Sequence, residues 1–377
     1  MPKYKFTEIA FNSTEKKKPT EADKDTYIGL EHLDSGTLTV SRWGSDVAPI
    51  GEKLIMKKGD ILFGKRRAYQ KKVGIAPFDG IFSAHGMVLR PREEVITKEY
   101  FPLFISSDYF LDEAIRISVG SLSPTVNWKD LKDLEFNIPT IEEQRRITPL
   151  VWAAIEAKNA YKTLVSGIDD LVKSQFIEMF GSPVSLDKGW QVKTIGDVAT
   201  TQLGKMLNAK NQTGQDPHYY LANRNVQWFR IDPTDLRTMD FDESERKKYA
   251  LENGDLLVCE GGEIGRCAVW HGEISDCYMQ NAVHRVRCDL KQITPVFLGY
   301  QLFYHAEENG FSDIVGSKAT IAHLPADKLK AMRVLVPPIE KQHTFEALAE
   351  QSDKSKFELE QAIQKVDNLI KSLISQE

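Results

Sequence analysis

What most limits the fold of this chain is that it repeats. Lys58-Gly59-Asp60-Ile61-Leu62 resembles Asn253-Gly254-Asp255-Leu256-Leu257, at an offset of 195. Val119-Gly120-Ser121 recurs as Val315-Gly316-Ser317 at 196, and Asn137-Ile138-Pro139-Thr140-Ile141-Glu142-Glu143-Gln144 as Leu335-Val336-Pro337-Pro338-Ile339-Glu340-Lys341-Gln342 at 198. Lys5-Phe6-Thr7-Glu8-Ile9-Ala10 is a weaker echo of Thr194-Ile195-Gly196-Asp197-Val198-Ala199. Matches in one order, with a slowly drifting offset, are what duplication followed by small loop insertions produces. Such a period sets the architecture before any local signal does. Two copies of one unit are expected, about 1–180 and 181–377, and 377 residues suit two cores better than one.

Each copy opens as mixed α and β. Asp60-Ile61-Leu62-Phe63, Asp255-Leu256-Leu257-Val258, Gly86–Arg90 and Ala282–Val286 read as short strands. Lys98–Ala114 and Pro295–Asn309 read as helices with apolar faces. Each copy closes on an Ile/Val-Pro step followed by acid, which suits a helix start. Apolar or small residues then recur at Ile147, Val151, Ala154, Tyr161, Val165, Ile168, Val172 and Met179. The second series is Phe345, Leu348, Leu359, Ala362, Val366, Leu369 and Leu373, and the two coincide at offset 198. Helices of nearly forty residues would each span about 55 Å. Neither can bury its stripe alone, so the expected arrangement is an antiparallel pair with a domain at each end, related by an approximate two-fold axis. Two independent amphipathic helices are the alternative.

Little in the chain points to catalysis or metal binding. Gly59-Asp60-Ile61-Leu62-Phe63-Gly64-Lys65 matches the outline of a phosphate loop, but Arg66 follows in place of Ser or Thr and the interior is strand-like. Gly261-Gly262-Glu263-Ile264-Gly265 reads as a turn between strands. No Asn/Asp-Pro-Pro-Tyr/Phe methyltransferase motif, G-x-S-x-G or H-E-x-x-H is present. The four cysteines, Cys259 to Cys288, form no CxxC pair, so ordinary thiols in a reduced compartment are expected. No apolar run approaches a membrane span and no secretory signal opens the chain, so the cytoplasm is the expected location.

Net charge is −5, yet local patches decide binding. Between Lys57 and Lys72 seven positive residues face one acid. Lys65, Arg66, Arg67, Tyr69, Gln70, Lys71 and Lys72 combine base-reading side chains with phosphate-binding lysines. In the second copy the candidates are Arg224, Asn225, Gln227 and Arg230, interleaved with Trp228 and Phe229, then Gln280, Asn281, Lys318 and Thr320. A solvated basic hairpin and ordinary polar turns are the competing readings. The copies agree in core positions and differ in these loops, as expected of one scaffold reading two targets.

The paired segments Ile138-Pro139-Thr140-Ile141-Glu142-Glu143-Gln144 and Val336-Pro337-Pro338-Ile339-Glu340-Lys341-Gln342 are similar to the Pro-Pro-x-x-Glu-Gln pattern of type I restriction–modification specificity subunits. Thr140 replaces the second proline in one, and Lys341 the Glu in the other. Phe180-Gly181-Ser182-Pro183, Gly189–Val198 and Tyr27–Leu33 resemble further family elements. The resemblance implies an α+β fold with target recognition domains at 1–140 and 181–338 and spacer helices at 141–180 and 339–377. It implies a non-catalytic chain that binds double-stranded DNA at an asymmetric bipartite site. The implied partners are two methyltransferase subunits and endonuclease/translocase subunits. No cofactor is implied on this chain; S-adenosylmethionine, ATP and Mg are expected only on the partners. A coiled-coil scaffold that binds no DNA is the alternative.

Overall fold

The computed structural model describes residues 1–208, 210, 212–308, 310–311 and 323–375. The chain divides into two compact units, Met1–Thr163 with Leu359–Glu377, and Leu164–Glu358. Each long helix, Ile141–Phe180 and Ile339–Ser375, is therefore shared between the units. Among the described residues no helix is long and apolar enough to cross a membrane.

The duplication is visible strand by strand. In the first unit a four-stranded antiparallel sheet runs Ala10–Ser13, Met87–Pro91, Ile61–Phe63, Val73–Ile75. In the second the order is Ala199–Leu203, Val283–Cys288, Leu256–Cys259, Cys267–Val269. Each unit adds a second sheet with one parallel pair, Tyr27–Ile28 beside Gly80–Phe82 and Pro217–Leu221 beside Cys277–Met279. The weak echo at the starts becomes a four-residue helix in each copy, Phe6–Ile9 and Ile195–Val198.

The repeated residues are those that fix the backbone. Gly59 and Gly254 hold φ at +89° and +93°, which the adjoining turn requires and side chains resist. Asp60 and Asp255 each accept the backbone N–H three residues back, at 2.7 Å in both copies. Each also takes a two-pronged pair from an arginine one strand over, Arg90 and Arg287 at 2.7 and 2.8 Å. Gln144 and Gln342 are fully buried. Each amide donates to the carbonyl five residues back, Pro139 or Pro337, and to a loop carbonyl, Val95 or Gln292. Each Oε1 accepts from the N–H of a threonine, Thr97 or Thr294. The recurring Gln thus ties the start of each long helix to the domain behind it.

Core packing explains why the helices are long. In the first unit Phe6, Phe63, Phe104, Phe110 and Phe136 form an aromatic cluster, and Ile147 and Val151 from the central helix join the same core. Ile370, Leu373 and Ile374 of the C-terminal helix pack against it. In the second unit the roles exchange: Val172, Phe176 and Phe180 end the central helix, while Phe345 and Ala349 begin the other. Within this unit the helices run antiparallel, with Lys356 on Asp169 at 2.6 Å and Phe176 on Phe345 at 5.3 Å between ring centroids. In the first unit Lys158 meets Asp367 at 2.5 Å. Burial of each such side chain stabilises by roughly 1.5–3 kcal/mol.

Two expectations need correction. Lys98–Ala114 is not one helix: Phe101–Ser106 and Asp108–Arg116 are separated at Ser107, whose hydroxyl accepts the Phe110 N–H and caps the second. Leu369 lies off the packed face and is half exposed, because a 3.6-residue turn brings Ile370 and Leu373 inward instead.

Candidate nucleic-acid interface

In the first unit, Ile61–Phe63 and Val73–Ile75 are joined by the basic loop, which carries a short 3-10 turn at Ala68–Gln70. Arg67 and Lys71 flank that turn at φ +56° and +49°. Left-handed backbone at non-glycine residues stores strain, and such strain concentrates at functional sites. Ala68, buried beneath, anchors the turn and leaves Arg66, Arg67 and Tyr69 exposed. Lys65 is half-buried; burial, and then the Lys16 charge, lowers the pKa of its ammonium.

A second segment lies against this loop. The Arg67 N–H donates to the Pro124 carbonyl at 2.7 Å and the Val126 N–H to the Lys65 carbonyl at 2.9 Å. Residues 119–125 thus sit beside the arginines and carry Leu122 and Val119, 91% and 65% exposed. Sequence reasoning saw Val119-Gly120-Ser121 only as a repeat marker. Its recurrence as Val315-Gly316-Ser317 in the second copy was the available signal.

Not every predicted basic residue is free. The Lys71 Nζ pairs with Asp108 at 2.8 Å and Asp112 at 2.7 Å, and the Lys72 Nζ donates to the Leu30 carbonyl at 2.7 Å. These two lysines fasten the loop to its unit. Gln70 stays half-buried at its edge.

The second unit keeps the scaffold and changes the chemistry. Its corresponding hairpin lies between Leu256–Cys259 and Cys267–Val269, with Glu260-Gly261-Gly262-Glu263 where the first copy has Lys65-Arg66-Arg67. Backbone ties are matched: the Leu324 N–H donates to Glu260 at 2.7 Å as Val126 does to Lys65, and Gly261 bridges His323 as Arg66 bridges Thr125. Lys318 and Thr320 lie outside the described residues.

Asn225, expected among the readers, is buried and hydrogen-bonded within the unit. It is 2% exposed; its Oδ1 accepts from Ala222 and its amide donates to the Asp232 and Thr234 carbonyls. His32 does the equivalent job in the first unit, its Nδ1 accepting from Gly29 at 3.0 Å. Arg224 is pinned to Asp235 at 2.8 Å, and the Gln227 amide donates to the Arg224 carbonyl at 2.7 Å. Arg230 is exposed. Gln280 and Asn281 are half-buried, joined side chain to side chain at 3.0 Å, and tied by backbone to Leu221 and Lys205. Asn223, which sequence reasoning did not select as a reader, donates to the Gly261 carbonyl at 3.4 Å. The structure therefore brings Asn223, Gly261, Gln280, Asn281 and His323 to one loop cluster.

The cysteines are structural. Cys259 donates to the Asn223 carbonyl at 3.5 Å, and burial pushes its thiol up to about 11; burial takes Cys277 and Cys288 up to about 12. Among the described residues no group of three or more His, Cys, Asp or Glu is placed to hold a metal ion. The arrangement offers a cationic, strained loop in one unit and an amide-rich, acid-bordered cluster in the other.

The model of the type I restriction modification DNA specificity domain matches residues 6–151 and 187–366. The chain is 23% identical over 324 residues to the type I restriction enzyme EcoKI specificity subunit of Escherichia coli strain K12, covering 79% of this chain and 68% of that one. It is 22% identical over 358 residues to the StySPI specificity subunit of Salmonella potsdam, covering 87% and 74%. A structure from work on complex assembly and conformational transition of the type I R-M system superposes with a TM-score of 0.63 at 17% identity, covering 100% of this chain and 96% of that one. The S subunit from M. genitalium gives 0.56 at 15%, covering 99% and 95%. These likenesses in structure establish a shared fold. With the family model matched in both copies, the chain belongs to the type I restriction–modification DNA specificity family, whose members are the non-catalytic, sequence-recognising subunits of their enzymes.

Proposed function

We propose that this chain reads an asymmetric, two-part DNA site, residues 1–140 reading one part and 181–338 the other. One observation carries the reading. Two loops held by matched backbone hydrogen bonds present Lys65-Arg66-Arg67 in one copy and Glu260-Gly261-Gly262 in the other. Equal scaffolds with unlike charge suit unlike targets. Arg66 and Arg67 are assigned to base edges or phosphates, Lys65 to phosphate and Tyr69 to stacking. Arg230, Gln280, Asn281 and Asn223 are assigned to the second part, with the paired helices setting the gap between the two.

The partners in this reading are two methyltransferase subunits and the endonuclease/translocase subunits, acting with this chain in the cytoplasm. They would supply the S-adenosylmethionine, ATP and Mg chemistry. Leu150, Leu164, Leu171, Phe357 and Leu369, all on the two long helices, are 49–59% exposed. Exposed large apolar residues gathered on two elements favour protein docking there.

The test is DNA binding by the chain assembled with its methyltransferase. Affinity should fall steeply with salt and exceed that for unrelated duplex by on the order of 10³-fold or more. Salt-independent or sequence-blind association would overturn the reading.

A further inference from the structure

The second unit contains a cavity of about 380 Å³, walled in part by Trp228 and Phe229 of the segment that carries Arg230. Its walls are aromatic. Phe229 stacks on Tyr300 with centroids 4.3 Å apart, and Trp228 meets Phe303 edge-on at 5.0 Å. Phe229 is held at φ +60°, a costly conformation for a bulky side chain, fixed here by that stacking. Asp169, Asp170, Glu307 and Asp353 complete the lining, against two lysines. Lys356 is taken by Asp169 at 2.6 Å and Lys173 by Glu307 at 3.6 Å. Asp170 and Asp353 have no ion-pair partner among the described residues.

Two further groups point inward without partners. Tyr300 and Tyr304 are 5% and 2% exposed and line the cavity, and neither hydroxyl makes a hydrogen bond among the described residues. Burial keeps both phenols above their ordinary range, so both oxygens stay neutral and able to accept. Asp353 lines the cavity with Lys356 and Asp169 near its carboxyl.

Ring faces, unpaired carboxylates and orphan phenol oxygens call for one kind of ligand, a flat cation rich in N–H donors. An ammonium lacks the flat face; a guanidinium stacks on the rings and offers five donors. A phosphate is repelled by the excess of carboxylates. We infer that this cavity receives an arginine side chain of a partner protein, docking it to the second unit. Only the partner's identity, the methyltransferase subunit, rests on the function proposed above.

The full chain, labelled at its tryptophan indoles, would be titrated with N-acetyl-arginine amide, its neutral analogue N-acetyl-citrulline amide, and spermidine. The Trp228 resonance, identified by its loss in Trp228→Phe, should shift saturably with the arginine probe at a dissociation constant on the order of mM. Citrulline should give no shift, spermidine a weaker one, and Asp170→Asn with Asp353→Asn should weaken arginine binding roughly tenfold. Equal shifts with citrulline, or none with arginine, overturn the site whatever the chain's function. In the second arm the same double variant should bind the methyltransferase subunit at least about tenfold more weakly. Arginine binding with unchanged methyltransferase affinity overturns the protein partner and leaves a site for free cations. Once saturated with methyltransferase, the variant should still bind DNA in a salt-dependent way; failure there indicts the function proposed above.

Discussion

Arg66 stands exposed beside Arg67 on a loop whose Lys71 and Lys72 are tied to the unit. Replacing it with Ala should lower discrimination at one base pair by about 1–3 kcal/mol if its fork meets a base edge. If it meets phosphate, affinity should fall evenly across sequences and the salt slope should shrink. Unchanged affinity and slope in a binding titration would remove this loop from the interface. Asn225→Ala should act oppositely: the chain loses three buried hydrogen bonds and about 1–3 kcal/mol of stability by urea denaturation, with the same DNA sequence read. A third effect is set by pH. His284 is buried with its ring on the Leu324 carbonyl at 2.8 Å, and burial lowers its pKa; burial lowers that of His305 as well. The unfolded chain binds protons below about 6.5 that the folded chain resists, so stability is full above that pH and falls as pH drops. The urea midpoint of the second unit should fall between pH 7 and 5, and His284→Gln with His305→Gln should flatten that slope; an unaltered slope would contradict the assignment. Reader and scaffold residues could not be separated from sequence. Lys71 and Lys72 find their partners 37 and 42 positions away, and local composition holds no trace of them.

The elements were more legible, because they rest on periodicity and backbone chemistry. Both long helices could be read from their stripes, and the matched strands from the Gly-Asp turn and the alternating apolar runs. The break at Ser107 was hidden because Phe101, Phe104, Phe110 and Leu111 continue the apolar pattern across it. The role of the recurring Gln was hidden for another reason. It serves carbonyls from two loops, and no one-dimensional pattern records that. Gln144→Leu or Gln342→Leu should each cost about 1–3 kcal/mol by leaving a threonine N–H and two carbonyls unmet. Denaturation should assign the first loss to the first unit and the second to the second. Equal effects on both units, or none, would contradict the account of these helix starts.

For the whole molecule, duplication with divergence is the informative property. The copies agree where residues set backbone, core and helix starts, and differ where side chains meet solvent at the loops. A net charge of −5 hid that difference, since the basic turn of one copy is offset by acid elsewhere. In the proposed function the two copies read two unlike half-sites. It is tested most directly by sequencing methylated adenines in cells carrying the assembled complex, first with this chain and then with residues 181–338 exchanged for those of another family member. One asymmetric, two-part motif is expected, of which the exchange alters one half and leaves the other. A motif that survives the exchange unchanged, or that changes in both halves, would contradict it.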